Sequence, residues 1–163
     1  MTSLTLKWRW RAAVTTLWVP PLIRVVSFAR LLSWLETDAG DRLATDPTLD
    51  DAALARWVDA LLQRLPGPWR RTCLLRSAVL YHLLRRAGRP VELVIGVRRQ
   101  RQEVGGTAAP TPPAPHSPSS SGTLAAHAWL VRDGAPYLEW SSPEHLEEHV
   151  LIARFPDGRL PTS

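Results

Sequence analysis

Residues 72–97 read TCLLRSAVLYHLLRRAGRPVELVIGV, and the fold follows from them. The spacing predicts a helix from about Thr72 to Arg86, closed by Gly88 in the left-handed conformation with Pro90 just beyond. Leu74, Leu75, Ala78, Val79, Leu80, Leu83 and Leu84 make it apolar on most sides, so it should be buried. Val91 to Val97 is a β-branched run and reads as a strand. Cys73 stands at the helix start. There, unpaired N–H groups and the positive end of the helix dipole stabilise a thiolate, and Arg70, Arg71 and Arg76 add positive potential. A small buried cysteine packed at a helix start is the plainer reading of the residue taken alone.

Downstream, residues 100–123 are rich in Pro and Ser, have nothing to bury and are expected to form a disordered insertion. Ala125 to Val131 resumes as a strand, Asp133-Gly134 signals a turn, and Pro136 to Trp140 returns as its partner. Alternation puts His127 on one face with Ala125, Trp129 and Val131, and puts Ala126, Ala128 and Leu130 on the other. A three-residue loop, Arg132-Asp133-Gly134, sets Glu139 directly opposite His127, where a carboxylate can orient and charge the imidazole. A two-residue loop, Asp133-Gly134, points Glu139 to the opposite face. His127 taken alone also reads as an ordinary structural histidine. His145 to His149 matches the zinc pattern H-x-x-E-H, but no distal carboxylate ligand follows at a suitable place. That segment reads better as a polar helix start after Ser142-Pro143, and neither a metal nor a cofactor is expected.

Upstream, Leu54, Trp57, Val58, Leu61, Leu62 and Leu65 lie on one helical face, with Thr48 and Asp51 at capping-box spacing and Pro66-Gly67-Pro68 as the stop. Residues 5–35 read as two helical pieces broken at Pro20-Pro21. The order is helices, then the cysteine helix, then an antiparallel sheet, which is an α+β class. The expected organisation is a helical extension over 1–47, a catalytic domain over 48–155 and a tail over 156–163.

The chain has 163 residues, 45% of them hydrophobic, and a formal charge of +5. Residues 1–35 carry Lys7, Arg9, Arg11, Arg24 and Arg30 and no acid, and from Arg64 to Arg101 ten Arg face a single acid, Glu92. Such blocks suit an anionic partner, although most surface Arg simply solvate. No nucleic-acid motif accompanies them. Peripheral membrane contact through residues 1–35 is the alternative use, because the apolar run there is too short and broken to span a bilayer. With a single cysteine no internal disulfide forms, which fits a reducing, cytoplasmic setting.

The Cys73-Leu-Leu-Arg-Ser77 helix, the Val94-Ile-Gly-Val97 strand and the Ala126-His-Ala-Trp129 strand together resemble the transglutaminase-like leader peptidases of lasso-peptide biosynthesis, over about residues 50–155. The resemblance implies a papain/transglutaminase-like fold with the nucleophile helix packed on an antiparallel sheet. It implies a Cys–His–acid triad that cuts the leader from a ribosomally made precursor. Carried over, Cys73 is the nucleophile, His127 the base and Glu139 the third member, standing where the family has Asp. The partners implied are the precursor peptide, a small leader-binding protein acting in trans and an ATP-dependent macrolactam cyclase. Transglutaminase-like acyl transfer to an amine, and a non-catalytic scaffold, are the alternative functions.

Overall fold

A computed structural model describes residues 4–26, 30, 46–66, 72–100, 123–139 and 143–156. Its helices are α1 (Leu6–Val25), α2 (Asp51–Gln63), α3 (Cys73–Arg86) and α4 (Pro143–Glu147), and its strands are β1 (Glu92–Gln100), β2 (Thr123–Arg132), β3 (Ala135–Tyr137) and β4 (Val150–Phe155). The strands form one antiparallel sheet in the order β3-β2-β1-β4. The class is α+β. The insertion expected over 100–123 falls almost wholly outside the described residues, as do Arg70, Arg71 and Trp140.

Helix α3 is the centre of the molecule. Its ten residues from Leu75 to Leu84 are all buried. Thr72 caps it, its Oγ1 accepting the Leu75 N–H at 3.3 Å. At the other end Gly88 takes φ +74°, and the Arg89 N–H returns to the Leu84 carbonyl at 2.9 Å. This is the six-to-one closure that a left-handed glycine permits. Helix α2 lays Leu54, Val58 and Leu62 against this core. Its cap differs from the expected capping box. Asp50 is the N-cap and accepts the Ala53 N–H at 3.0 Å, while the Thr48 hydroxyl bonds Asp46 instead.

Helix α1 corrects the expected break, because it runs straight through Pro20 and Pro21. A proline inside a helix lacks one backbone donor and costs about 3 kcal/mol. The compensation is tertiary: Trp8, Ala12 and Val19 are buried on one face against α2 and α3. Large apolar side chains contribute roughly 1.5–3 kcal/mol each on full burial. The ladder resumes beyond the prolines, where the Val26 N–H meets the Leu22 carbonyl at 2.9 Å. At its start α1 is tied down by the Trp8 indole N–H, which donates to Asp46 at 3.0 Å. The Asp46 carboxyl is drawn down to about 2, chiefly by the Thr48 hydroxyl and then by Trp8.

The sheet separates two apolar groups by alternation. Leu93 and Leu130 face α3 and the main core, whereas Val94, Trp129 and Val131 face Leu146 of α4. The β2–β3 hairpin has the two-residue loop. Arg132 pairs with Ala135, and Asp133 and Gly134 both take positive φ, at 52° and 79°. Two left-handed residues in succession match the right-handed strand twist, and Asp-Gly is a favoured pair for such a turn. The three-residue loop is therefore not formed.

Candidate active site

Strand β3 stops early. Its last pairing joins Tyr137 to Leu130, and among the described residues β2 has no further β3 partner toward His127. The first turn of α3 takes up that free edge. The Ser77 hydroxyl donates to the Ala128 carbonyl at 2.8 Å, and the Ala128 N–H approaches the Cys73 sulfur. In an antiparallel ladder one residue's N–H and C=O point to the same side. The helix thus stands in for the missing strand and carries Cys73 to the sheet edge beside His127.

Glu139 reaches the same place by a route that strand register does not supply. In the observed register it falls opposite Ala128, on the wrong face. Leu138 interrupts the alternation with φ +54°, a left-handed conformation uncommon for a bulky side chain, and the backbone bends there. Glu139 Oε1 then lies 3.6 Å from His127 Nε2, with only 6% of its side chain exposed. That separation is slightly long for a hydrogen bond, so the contact is chiefly charge–charge. With Nε2 turned to Glu139, Nδ1 is the ring nitrogen left for the thiol.

Three groups are thus set for nucleophilic chemistry. The Cys73 pKa is lowered, first by hydrogen bonding to His127, against the opposing effect of burial, and with help from the Ala128 and Leu74 N–H groups. The His127 pKa is raised to about 9, first by Cys73 and then by Glu139. Each shift favours the thiolate–imidazolium pair, and the two groups titrate as a unit. The imidazole stacks on the Trp129 indole, with centroids 5.8 Å apart and 17° between planes. His149 lies 5.7 Å from it on the same face. Gly96 pairs with His127 across β1 and β2, and a Cβ there would meet the His149 Cβ at 2.8 Å and the Trp129 ring at 2.9 Å. Only glycine leaves room for these rings behind the histidine.

Arg76 corrects an expectation. Rather than lending charge to the thiolate, it is buried on Asp59, Nε to Oδ1 at 2.8 Å. Its Nη1 donates to the Leu138 carbonyl at 2.8 Å. It therefore holds the backbone turn that delivers Glu139. Sequence reasoning missed this role, and it missed His149 beside the site. Neither carries a local signal, since Asp59 and Leu138 are 17 and 62 residues from Arg76. Arg76→Met should remove the largely buried ion pair with Asp59 and the bond to the Leu138 carbonyl, and lower stability by about 3 kcal/mol, read by urea denaturation. The His127 pKa should fall as well, because the Leu138 bend that positions Glu139 loses its tie.

A cysteine at the start of a buried helix, a histidine on the adjoining strand and a carboxylate behind it define the class of cysteine-nucleophile acyl-transfer folds. The comparison with protein families agrees: residues 15–108 match the transglutaminase-like superfamily, and the chain belongs to it. That superfamily includes cysteine proteases and acyl transferases. The matched stretch takes in most of α1, all of α2 and α3, and β1. No curated protein and no solved structure matches the chain.

Proposed function

We propose that the chain is a cysteine endopeptidase that removes the leader from a lasso-peptide precursor. The convergence of Cys73, His127 and Glu139 at the sheet edge is the observation that carries the peptidase reading. The lasso-peptide assignment is supported by the likeness of the Cys73–Ser77, Val94–Val97 and Ala126–Trp129 segments to that family's peptidases. The Cys73 thiolate attacks the scissile carbonyl at the leader–core junction. The first-turn N–H groups of α3 oppose the charge that gathers on the carbonyl oxygen. As the C–N bond breaks, His127 gives its proton to the leaving amine, and the acyl group remains as a thioester on Cys73. Water then attacks the thioester while His127 takes its proton, releasing a carboxylate and restoring the thiolate. Glu139 keeps the imidazole oriented and favours its charged form throughout.

A small leader-binding protein delivers the precursor, and an ATP-dependent cyclase closes the macrolactam afterwards. The reaction belongs in the cytoplasm, where a lone cysteine stays reduced. Incubating the protein with a precursor and a leader-binding protein, followed by mass spectrometry, tests the reading. Two fragments summing to the precursor plus one water are expected. A product joined to an amine with loss of ammonia would instead assign acyl transfer, and an uncut precursor would leave the scaffold role.

A further inference from the structure

Helix α1 has a second apolar face. Leu6, Trp10, Val14, Leu17, Trp18 and Val25 follow at steps of three, four and seven residues, so they form one stripe along the helix. All are exposed, and Leu6, Trp10, Leu17 and Val25 each show 70% or more of their surface. The opposite face, with Trp8, Ala12 and Val19, is already committed to the core. The stripe therefore contributes nothing to the fold of the described residues. At 20 residues α1 is about 30 Å long, far beyond the extent of a scattered surface leucine.

Charge says what this face suits. Residues 4–26 contain Lys7, Arg9, Arg11 and Arg24 and no acid. Three of these cations sit at the margins of the stripe, held against rings that belong to the core side. Arg11 lies 5.0 Å over Trp8, Lys7 lies 6.0 Å over Trp8, and Arg9 lies 4.3 Å over Trp57. A convex apolar strip containing two indoles and rimmed by cations is the pattern of a helix that lies in the headgroup region of an anionic bilayer. No helix among the described residues is long and apolar enough to cross a membrane, so α1 would lie on one.

We infer that α1 docks the protein on an anionic lipid surface through this stripe. This stands independently of the peptidase reading, because the stripe faces away from the core that carries α3. The test is co-flotation of the full-length protein with vesicles of phosphatidylcholine alone and of phosphatidylcholine mixed with phosphatidylglycerol. The protein should float with the anionic vesicles and much less with the neutral ones. Raising salt from about 50 mM to about 500 mM should release it, because the cations are screened. Leu17→Glu should weaken flotation about tenfold or more, by removing buried apolar area and adding a repelled charge. Trp10→Ser serves as an independent variant, and an unchanged melting temperature shows that each fold is intact. Equal flotation with neutral vesicles would overturn the inference, as would a Leu17→Glu variant that floats like the parent. So would a protein that ignores both vesicles yet sizes as a dimer that Leu17→Glu dissociates, which would make the stripe a contact between copies.

Discussion

Replacing Cys73 by alanine should abolish peptide cleavage, a fall of roughly 10⁴-fold or more, while the fold survives. In the proposed mechanism the sulfur is the attacking atom, and neither the helix nor its cap depends on it. Thr72 supplies the capping oxygen, and Ser77 supplies the tie to β2. The side chain is half-buried at the helix start, so alanine leaves little cavity. Retained cleavage alongside an unchanged circular dichroism spectrum would remove Cys73 from the chemistry.

Glu139→Gln should lower turnover by roughly 10²–10⁴-fold with little change in the affinity for the leader. The amide keeps the size and loses the charge, so the support that raises the His127 pKa weakens. Leader affinity should hold if, as proposed, a separate leader-binding protein supplies most of it. Glu139→Asp should retain part of the activity, since the shorter carboxylate keeps the charge while the Leu138 turn is fitted to the longer one. A glutamine variant with parental turnover would mean that Glu139 is only a structural carboxylate.

The fold was largely legible because its signals are local. The capped apolar run from Thr72 to Gly88 and the β-branched run after it are short-range patterns, and both formed where the spacing put them. The Pro20-Pro21 break was misread because propensity was weighed without the core face that holds α1 together. Strand β4 was missed, although Val150-Leu-Ile-Ala-Arg-Phe155 is rich in strand formers, since its place beside β1 is a long-range matter.

The site was legible in part. Cys73 and His127 could be singled out from a helix start and a strand. Their meeting depends on α3 replacing β3 at the edge of β2, which no spacing encodes. Glu139 was placed near His127 through a loop that the hairpin does not have. It arrives instead through one residue, Leu138, whose left-handed turn is tied to the buried Arg76. Backbone conformations of that kind follow from tertiary hydrogen bonds and leave no mark on the local pattern.

Everything proposed about chemistry rests on a charged Cys73–His127 pair, and that pair can be titrated without any substrate. His127 is raised from 6.5 to about 9, so its stabilising charge is fully present below 6.5 and is lost as pH rises through about 9. Cys73 is lowered from 9.0, so its thiolate is lost only as pH falls through the depressed value. The ion pair occupies the window between them. The rate of Cys73 alkylation by iodoacetamide, followed by intact mass from acid to alkaline pH, measures it directly. The parent protein should begin to react at lower pH than an ordinary thiol, with a second rise near 9 as His127 deprotonates, and His127→Ala should return the onset to that of an ordinary thiol. A parent profile with a single onset near 9, unchanged by His127→Ala, would contradict the pair and the peptidase reading with it.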